Sequence, residues 1–472
     1  MVIVACVAAQ SLGAQTSSTD SPIPSPAPSV LSALSSESPY LGSVPTGAAT
    51  GTVLPLSLSD ALDLGLKHNL GLIESDVTTR AARAERLRSL NELLPNINAS
   101  ISQTVEQLNL RSLGFNFNVP GIPVIVGPFG IQDAQANISE TLFDWSSVEK
   151  LRASGERLKA SQNSYKSSRD LVVLAVANAY LQLIADSSTV ESQQAQLATS
   201  RALYQRAHDQ RTAGVAARID ELRAQVELET QQQRLIAARD QQSKDGLSLA
   251  RAIGLPAGQQ FALTDRLPYT PLEGVSLDKA LDDAYTNRPD YRSAQGEVRA
   301  AVLSQKAAVA ENFPTVTSAA DDGDIGTNFG NSHGTFTASA SVNIPIFQGT
   351  RVKADVLDAD RTLQQKQAEI DNLKGRIDQD VRDAFFDLDS ASELVKVARS
   401  NTDLARETLA EAQDRFAAGV TDNIEVVQAQ ESVSSADQAY ISRLYAFNLA
   451  KVQLARAVGI AERVVKDYLG GR

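Results

Sequence analysis

Side chains able to do chemistry are few and scattered in this chain. Three histidines, His68, His208 and His333, lie far apart, with no HExxH or other local metal-ligand spacing, and read as unrelated surface or packing residues. A single cysteine, Cys6, excludes a disulfide framework and any cysteine-based structural zinc site. GxGxxG, GxxxxGK[ST] and GxSxG are absent, and the one SxxK match, Ser147 to Lys150, sits where a helix should begin. No acid, base and nucleophile set converges, so the sequence reads as a non-enzyme with no cofactor and no metal. Its function has to be sought in the elements themselves.

The 472 residues carry 44 Lys+Arg against 56 Asp+Glu, a net charge of −12 that argues against nucleic-acid binding. Length alone predicts two or three domains. With 43% hydrophobic residues and no evident apolar run of the ~18 residues that a spanning helix needs, a helical membrane protein is not expected. Residues 1–14 form a signal-like segment, an apolar Met1–Ala9 followed by small residues. Ile3-Val4-Ala5-Cys6 also matches a lipobox, which makes Cys6 a candidate for lipidation, and a chance apolar start is the third reading. Residues 15–55, rich in Ser, Pro and Thr, read as a disordered linker. Export and scarce cysteine fit together, since an oxidising compartment disfavours free thiols.

Proline spacing reveals the architecture. No proline occurs within 129–255 or 346–472, and exclusion zones of that length read as long helices. The two zones belong to a tandem duplication. Leu58-Ser59-Asp60-Ala61-Leu62 returns as Leu277-Asp278-Lys279-Ala280-Leu281, and Leu94-Pro95 as Phe313-Pro314. Ala213-Gly214-Val215 returns as Ala418-Gly419-Val420, and LARAIG (Leu249–Gly254) as LARAVG (Leu454–Gly459). The units span 56–255 and 276–460, joined by a linker at 256–275 and followed by a tail at 461–472.

Each unit reads helix, strand pair, long helix, tight turn, helix. Val176, Leu183, Val190, Leu197 and Tyr204 recur every seventh residue, as do Val381, Leu388, Val395, Thr402, Leu409 and Phe416. A second seam runs Leu151, Leu158, Tyr165, Val172, Ala179, echoed by Val356, Leu363, Ile370, Ile377, Ala384. Seven-residue spacing implies helices winding left-handedly about their neighbours. From Ser147 to Arg211 such a helix would be ~97 Å long at ~1.5 Å per residue. Gly214 and Gly419 mark the turns.

Period-two alternation marks the strand pairs, 96–143 and 314–347. It is clearest over Thr335–Phe347, weaker over Ala134–Phe143 and Asn96–Val105, and poorest over Pro314–Thr327, where Asp321, Asp322 and Asp324 are expected in the loop. Two readings stand: strands of a membrane barrel closed by pooling several chains, or a soluble sandwich packed on helices. Phe143, Trp145 and Phe347 sit at strand ends, where an aromatic girdle would lie, though helix-start packing equally accounts for the Trp. Leu113–Ile131, apolar and rich in Gly and Pro, is expected to be an external loop.

Over roughly residues 56–460 the chain resembles the TolC-type outer-membrane efflux protein family. The resemblance rests on the doubled LSLSDAL…LP and VSLDKAL…NRPD…FP openings, the strand endings Thr141–Asp144 and Pro345–Gln348, the AGV tips and the LARAxG closings. It implies a mainly α fold with a small β part: tandem long helical hairpins in an α-barrel, plus four strands per chain in a trimeric 12-stranded transmembrane β-barrel. It further implies an outer-membrane location with a long periplasmic portion, and a homotrimer meeting a periplasmic adaptor protein, an inner-membrane transporter and outer-membrane lipid. The implied function is the passive exit duct of a tripartite efflux or type I secretion system; the competing reading is a soluble periplasmic coiled-coil scaffold. Family gate acids fall on Asp220 and Glu425, which as first-turn acids are also explained by the helix dipole. A family gate Tyr and Arg correspond to Phe416 and Thr421, leaving Arg211 or Arg415 to substitute. Thr212, Ala213, Gly214, Val215 and Ala418, Gly419, Val420 would meet the adaptor.

Overall fold

A computed structural model describes residues 38–112, 114, 123–272, 276–328, 330–418, 420 and 423–469. The proposed signal segment, Cys6, Gly419 and Thr421 lie outside them. Of the described part of the expected disordered linker, the turn around residues 38–43 is largely half-buried, and residues 44–55 are exposed. A 3-10 turn at Pro39–Leu41 is followed by β1 (Leu54–Leu56), and the Tyr40 carbonyl accepts from Asn69 Nδ2 at 2.7 Å. Tyr40 also packs against buried apolar residues, an aromatic anchor for this turn.

The opening helix of each unit is in fact two helices, and the break is written in the caps. Ser57 and Asp60 form a capping box that starts α1 (Leu58–His68). Asn69 ends it and immediately caps α2 (Leu70–Asn91), its side chain accepting from Gly71 N at 2.9 Å. In the second unit, α5 (Leu277–Asn287) gives way to α6 (Pro289–Ala310) at Arg288, where Pro289 opens the new helix.

From these helices the chain enters β2 (Asn96–Asn109) and β3 (Ile125–Phe143) in the first unit, β5 (Thr315–Gly326) and β6 (Ser332–Asn343) in the second. They form one antiparallel sheet in the order β2-β3-β5-β6, with no further strand paired to β2 or β6 among the described residues. Three strand expectations are corrected. Asp321, Asp322 and Asp324 lie inside β5, because that strand is laddered on both sides (Asp321 opposite Asn137 and Thr337), and backbone pairing overrides low intrinsic propensity. β3 starts at Ile125, so the end of the expected external loop is strand. β6 stops at Asn343, so Ile344, Pro345, Ile346 and Phe347 follow it; Pro345 has no N–H to give a ladder.

The long helices are α3 (Trp145–Thr212, 68 residues) and α7 (Arg351–Ala417, 67 residues). At ~1.5 Å per residue each extends ~100 Å. Their return partners, α4 (Arg218–Ile253) and α8 (Asn423–Val458), have 36 residues each and reach back only about halfway. The sheet-side half of α3 is covered instead by α2 and α6: Thr79 meets Ser161 at 3.1 Å, and Ser293 Oγ donates to the Ala160 carbonyl at 2.8 Å. Trp145 is the first residue of α3, with the Arg152 guanidinium over its ring at 5.3 Å, so it belongs to the helix start.

Where the elements meet lies a waist. β4 (Phe261–Leu263), from the linker between the units, pairs in parallel with β1, and a last helix, α9 (Ala461–Tyr468), folds onto α3 and α8. The main core collects Leu56, Leu62, Val172, Val176, Tyr180, Leu181, Ile253 and Val465, and a second gathers Ile377, Val381, Val395 and Phe447. Against expectation, α3 does contain an 18-residue window apolar enough to cross a membrane by length and composition; 67% of it is buried inside the protein. Neighbours on several sides make this stretch apolar around its circumference, as buried helices are. In the heptad seams Val176, Leu183, Val190, Val381, Leu388, Val395 and Thr402 are buried, whereas Leu151, Leu158, Val356 and Leu363, near the sheet, are half-buried.

Candidate functional site

The far ends of the hairpins are built from tight turns. α3 closes with Gly214 at φ 76, a left-handed position that suits glycine, and Val215 N donates back to the Gln210 carbonyl at 3.0 Å. Thr212 Oγ1 donates to the His208 carbonyl at 2.6 Å, and Ala213 is the C-cap. At the second tip Ala418 N donates to Asp414 O and Val420 N to Arg415 O, both at 3.0 Å. Val215 and Val420 are exposed, an apolar side chain bare at each tip.

Acids follow each turn. Asp220 and Glu425 both lie in the first turn of a return helix, where the dipole favours them. Arg223 stands 3.5 Å from Asp220, and Arg415 Nη1 donates to Glu425 Oε1 at 2.6 Å. The most enclosed acid at the first tip is one that sequence reasoning missed. Glu221 accepts from Arg211 Nε and lies against His208 Nδ1, both at 2.7 Å, with its side chain 12% exposed. Arg211 therefore meets Glu221, and His208 joins the same tip. Phe416 lies under the Arg206 guanidinium (5.6 Å), linking the two tips across a small cluster of Leu203, Ala207, Ala224, Ala412 and Val426. Among the described residues no three His, Cys, Asp or Glu side chains are grouped to hold a metal.

At the other end the sheet has two chemically distinct faces. Register places Ile97, Ile101 and Val105 of β2 beside Ile138 and Ala134 of β3, then Ala320 of β5, then Phe336, Ala338 and Val342 of β6. This face is apolar and largely exposed. Asn98, Ser100, Ser102, Gln135, Asn137, Thr317, Ser339 and Ser341 make up the other, which is polar. Asp322 and Asp324 of β5 also lie on the apolar face, as do the Gln103–Gln132 pair and Glu140 beside Ser318.

The helices too leave apolar residues uncovered. Phe386, Leu394, Val397 and Leu404 of α7 are exposed at helical spacing, as are Leu222, Val226, Ile236 and Leu247 of α4. Between tips and sheet, the waist is pinned by buried charge. Arg288 Nη2 bonds Asp290 at 2.7 Å and Nη1 bonds Asp380 at 3.0 Å, tying the α5–α6 junction to α7. Burial works to raise the Asp290 carboxyl, and the bonded Arg288 outweighs it and holds the group below the usual carboxylate range. Asp170, whose carboxylate accepts from Glu462 N at 3.2 Å, is pushed up by burial.

A protein-family model described as outer membrane efflux protein matches residues 62–255 and 280–460. The toluene efflux pump outer membrane protein TtgC of Pseudomonas putida is 24% identical over 424 residues, 85% of this chain and 83% of its own. The alkaline protease secretion protein AprF of Pseudomonas aeruginosa is 21% identical over 346 residues, covering 71% and 72%. The solved outer membrane protein VceC of Vibrio cholerae shares the fold, with a TM-score of 0.71 at 17% identity over 85% of this chain and 96% of that one.

Proposed function

The chain belongs to the outer membrane efflux protein family, whose members are outer-membrane channels, and on that premise we propose that three copies close into one continuous exit duct. Each would give the four strands of its sheet to a 12-stranded barrel and its two hairpins to a periplasmic α-barrel. The carrying observation is the sheet: two edges unpaired among the described residues, one exposed, mainly apolar face and one polar face. An open edge invites another strand, and only a closed sheet can sit in hydrocarbon. The apolar face would meet lipid and the polar face line a water-filled lumen. A soluble scaffold would bury Ile97, Ile101 and Val105 on its own helices, and here they are exposed. The bare stripes on α4 and α7 supply apolar area for contacts between copies.

In this reading the tips face the periplasm. Thr212–Val215 and Ala418–Val420, Gly419 included, dock a periplasmic adaptor, which couples the duct to an inner-membrane transporter. Asp220 and Glu425 would each form a ring of three carboxylates where the helices converge, a field that favours cations. Glu425 is already held by Arg415, so the second ring is built from ion pairs. Cys6, if acylated, would add a lipid anchor. The name of one relative refers to toluene and that of another to alkaline protease, which fits cargo being chosen by the transporter and passed by a common duct.

Native mass measurement in detergent, with planar-bilayer recording, tests the proposal. Particles of three chains with stepwise conductance are expected. A water-soluble monomer without conductance would overturn it. Altered cation selectivity in Glu425→Ala and Asp220→Ala would support the rings, and unchanged selectivity would remove them.

A further inference from the structure

Between α3, α4 and α8, midway from waist to tips, lies a cavity of about 520 Å³. Two acceptors lining it are left without donors. Asp186, 8% exposed, has its Oδ1 bonded by Gln182 Nε2 at 3.0 Å, while its Oδ2 has no donor. Gln193, 4% exposed, has an equally unsatisfied Oε1. Buried acceptors without donors are costly, so this pair calls for a ligand that donates.

The surroundings narrow its chemistry. Asp186 and Gln193 are seven residues apart on one helix, about 10 Å along its axis. Between them Ala185 of α3, Ala237 and Ala238 of α4 and Ile441 of α8 give small or apolar wall, interspersed with Thr189, Gln241, Gln438 and Ser442. Facing charges come from α4 and α8. Asp245 contacts Asp186, and the Tyr445 hydroxyl is spent on Asn178 Oδ1 at 2.7 Å. Arg234 is neutralised by Glu431 through two bonds of 2.7 and 2.9 Å. The local excess is therefore negative and lies at the Asp186 end. Burial, and then the neighbouring Asp245 carboxyl, push Asp186 up to about 7.

We propose that this cavity binds a linear aliphatic diamine, one ammonium at Asp186 and Asp245, the other donating to the Gln193 carbonyl, with the methylenes against the alanine and isoleucine walls. A bare metal ion would leave the apolar walls and the second acceptor unused, and a monoamine would satisfy only one end. The inference stands on the geometry of three helices and does not depend on conduction.

Calorimetric titration of the intact detergent-purified protein with 1,5-diaminopentane tests it, with n-pentylamine and potassium chloride at matched ionic strength as comparators. Saturable diamine binding, stronger than that of pentylamine and absent with the salt, is the expected result. Affinity should fall roughly tenfold per pH unit below pH 7, where the ammonium must displace the proton on Asp186. Asp186→Asn should weaken both amines at least about tenfold, the effect of losing one charged contact. Gln193→Leu should reduce diamine affinity to that of pentylamine and leave pentylamine unchanged, which keeps the proposal falsifiable even if Asp186→Asn fails to fold. Heat that follows ionic strength alone, or a Gln193→Leu variant with undiminished diamine preference, overturns the proposal.

Discussion

Replacing Glu221 with Gln at the first tip removes a charge from a carboxylate that meets two basic side chains at 2.7 Å while only 12% exposed. In a fully buried setting each charge-assisted bond would be worth about 1.5–3 kcal/mol. Arg211 and His208 are each 39% exposed, so solvent screening cuts this to about 1 kcal/mol per contact and about 2 kcal/mol in all. That corresponds to a roughly 30-fold rise in local opening of the turn. The second tip should respond less, because Arg415 and Glu425 are 46% and 38% exposed. Double-mutant cycles separate each pair from its other neighbours: Arg211→Gln with Glu221→Gln should give a coupling of about 1 kcal/mol, and Arg415→Gln with Glu425→Gln about 0.5 kcal/mol or less. Amide exchange over residues 209–223 and 414–427 reads both couplings on one sample. Equal couplings, or a larger one at the second tip, would refute the claim that Glu221 is the principal latch.

Three other perturbations probe the remaining parts. Ile101→Arg, on the apolar face of β2, should cost about 2–4 kcal/mol of insertion into phospholipid vesicles if it lies near the bilayer midplane, whereas Ser102→Lys on the polar face should refold normally; the reverse order would invert the assignment of faces. Gly459 has φ 79, and an added Cβ would come within 2.7 Å of Arg288 Cα, so Gly459→Ala should lower thermal stability. Gly375→Ala, in open space on α7, should instead raise it by about 0.5–1 kcal/mol, and loss of helicity on heating compares the two. Lys451 is fully buried, its Nζ donating to the Tyr468 carbonyl at 2.9 Å, and burial lowers it to about 8 from 10.5. The folded chain thus holds fewer protons than the unfolded one between those values, and stability contributed at this position rises as pH climbs through that window. Lys451→Met should therefore be more stable than the parent at pH 7 by about 1–2 kcal/mol, a gap that closes by pH 10.5, as denaturation in parallel buffers would show.

Much of this architecture is legible because each signal has a local cause. Proline exclusion marks out the stretches that hold α3 and α7, since one proline would break either helix, and the heptad seams and tip glycines narrow them. The LARAxG endings place Gly254 and Gly459 at φ 80 and 79, where the chain must turn out of a helix. β6 shows itself by alternation because Phe336, Ala338, Ala340 and Val342 fall on one face and Thr335, Thr337, Ser339 and Ser341 on the other. β5 hides because its acids mimic a loop, and only the strands on either side, distant in sequence, hold it extended. The β1–β4 pair was not legible at all: three residues each, joined across the whole first unit, carry no periodicity. Glu221 was missed for a related reason. Two adjacent acids start α4, and which of them turns inward depends on where His208 and Arg211 come to rest on α3, a matter of interhelical phase that spacing within one helix does not give.

That phase also explains why the duct can be firm at one level and adjustable at another. Around the waist α3 buries Val172, Val173, Leu174, Val176 and Leu181, and burial of such side chains is worth about 25 cal/mol per Å² of apolar surface. Toward the tips the buried positions become Gln193, Gln196 and Ser200 of α3, Gln231 of α4, and Gln430 and Ser434 of α8. Gln430 Nε2 reaches the Gln196 carbonyl at 3.3 Å and the Ser200 hydroxyl, and Gln231 donates to Glu227 at 2.8 Å. These bonds exchange for bonds to water at small net cost, about 1 kcal/mol each, so sliding one helix past another is cheaper here than in an apolar core. The tip cluster that follows is largely alanine and valine. Low apolar burial, a polar seam and ion pairs at the turns together place the least stable part of each hairpin at its periplasmic end. The acidic, soluble-looking composition fits the proposed barrel, in which lipid would be met by alternate residues of the four strands only.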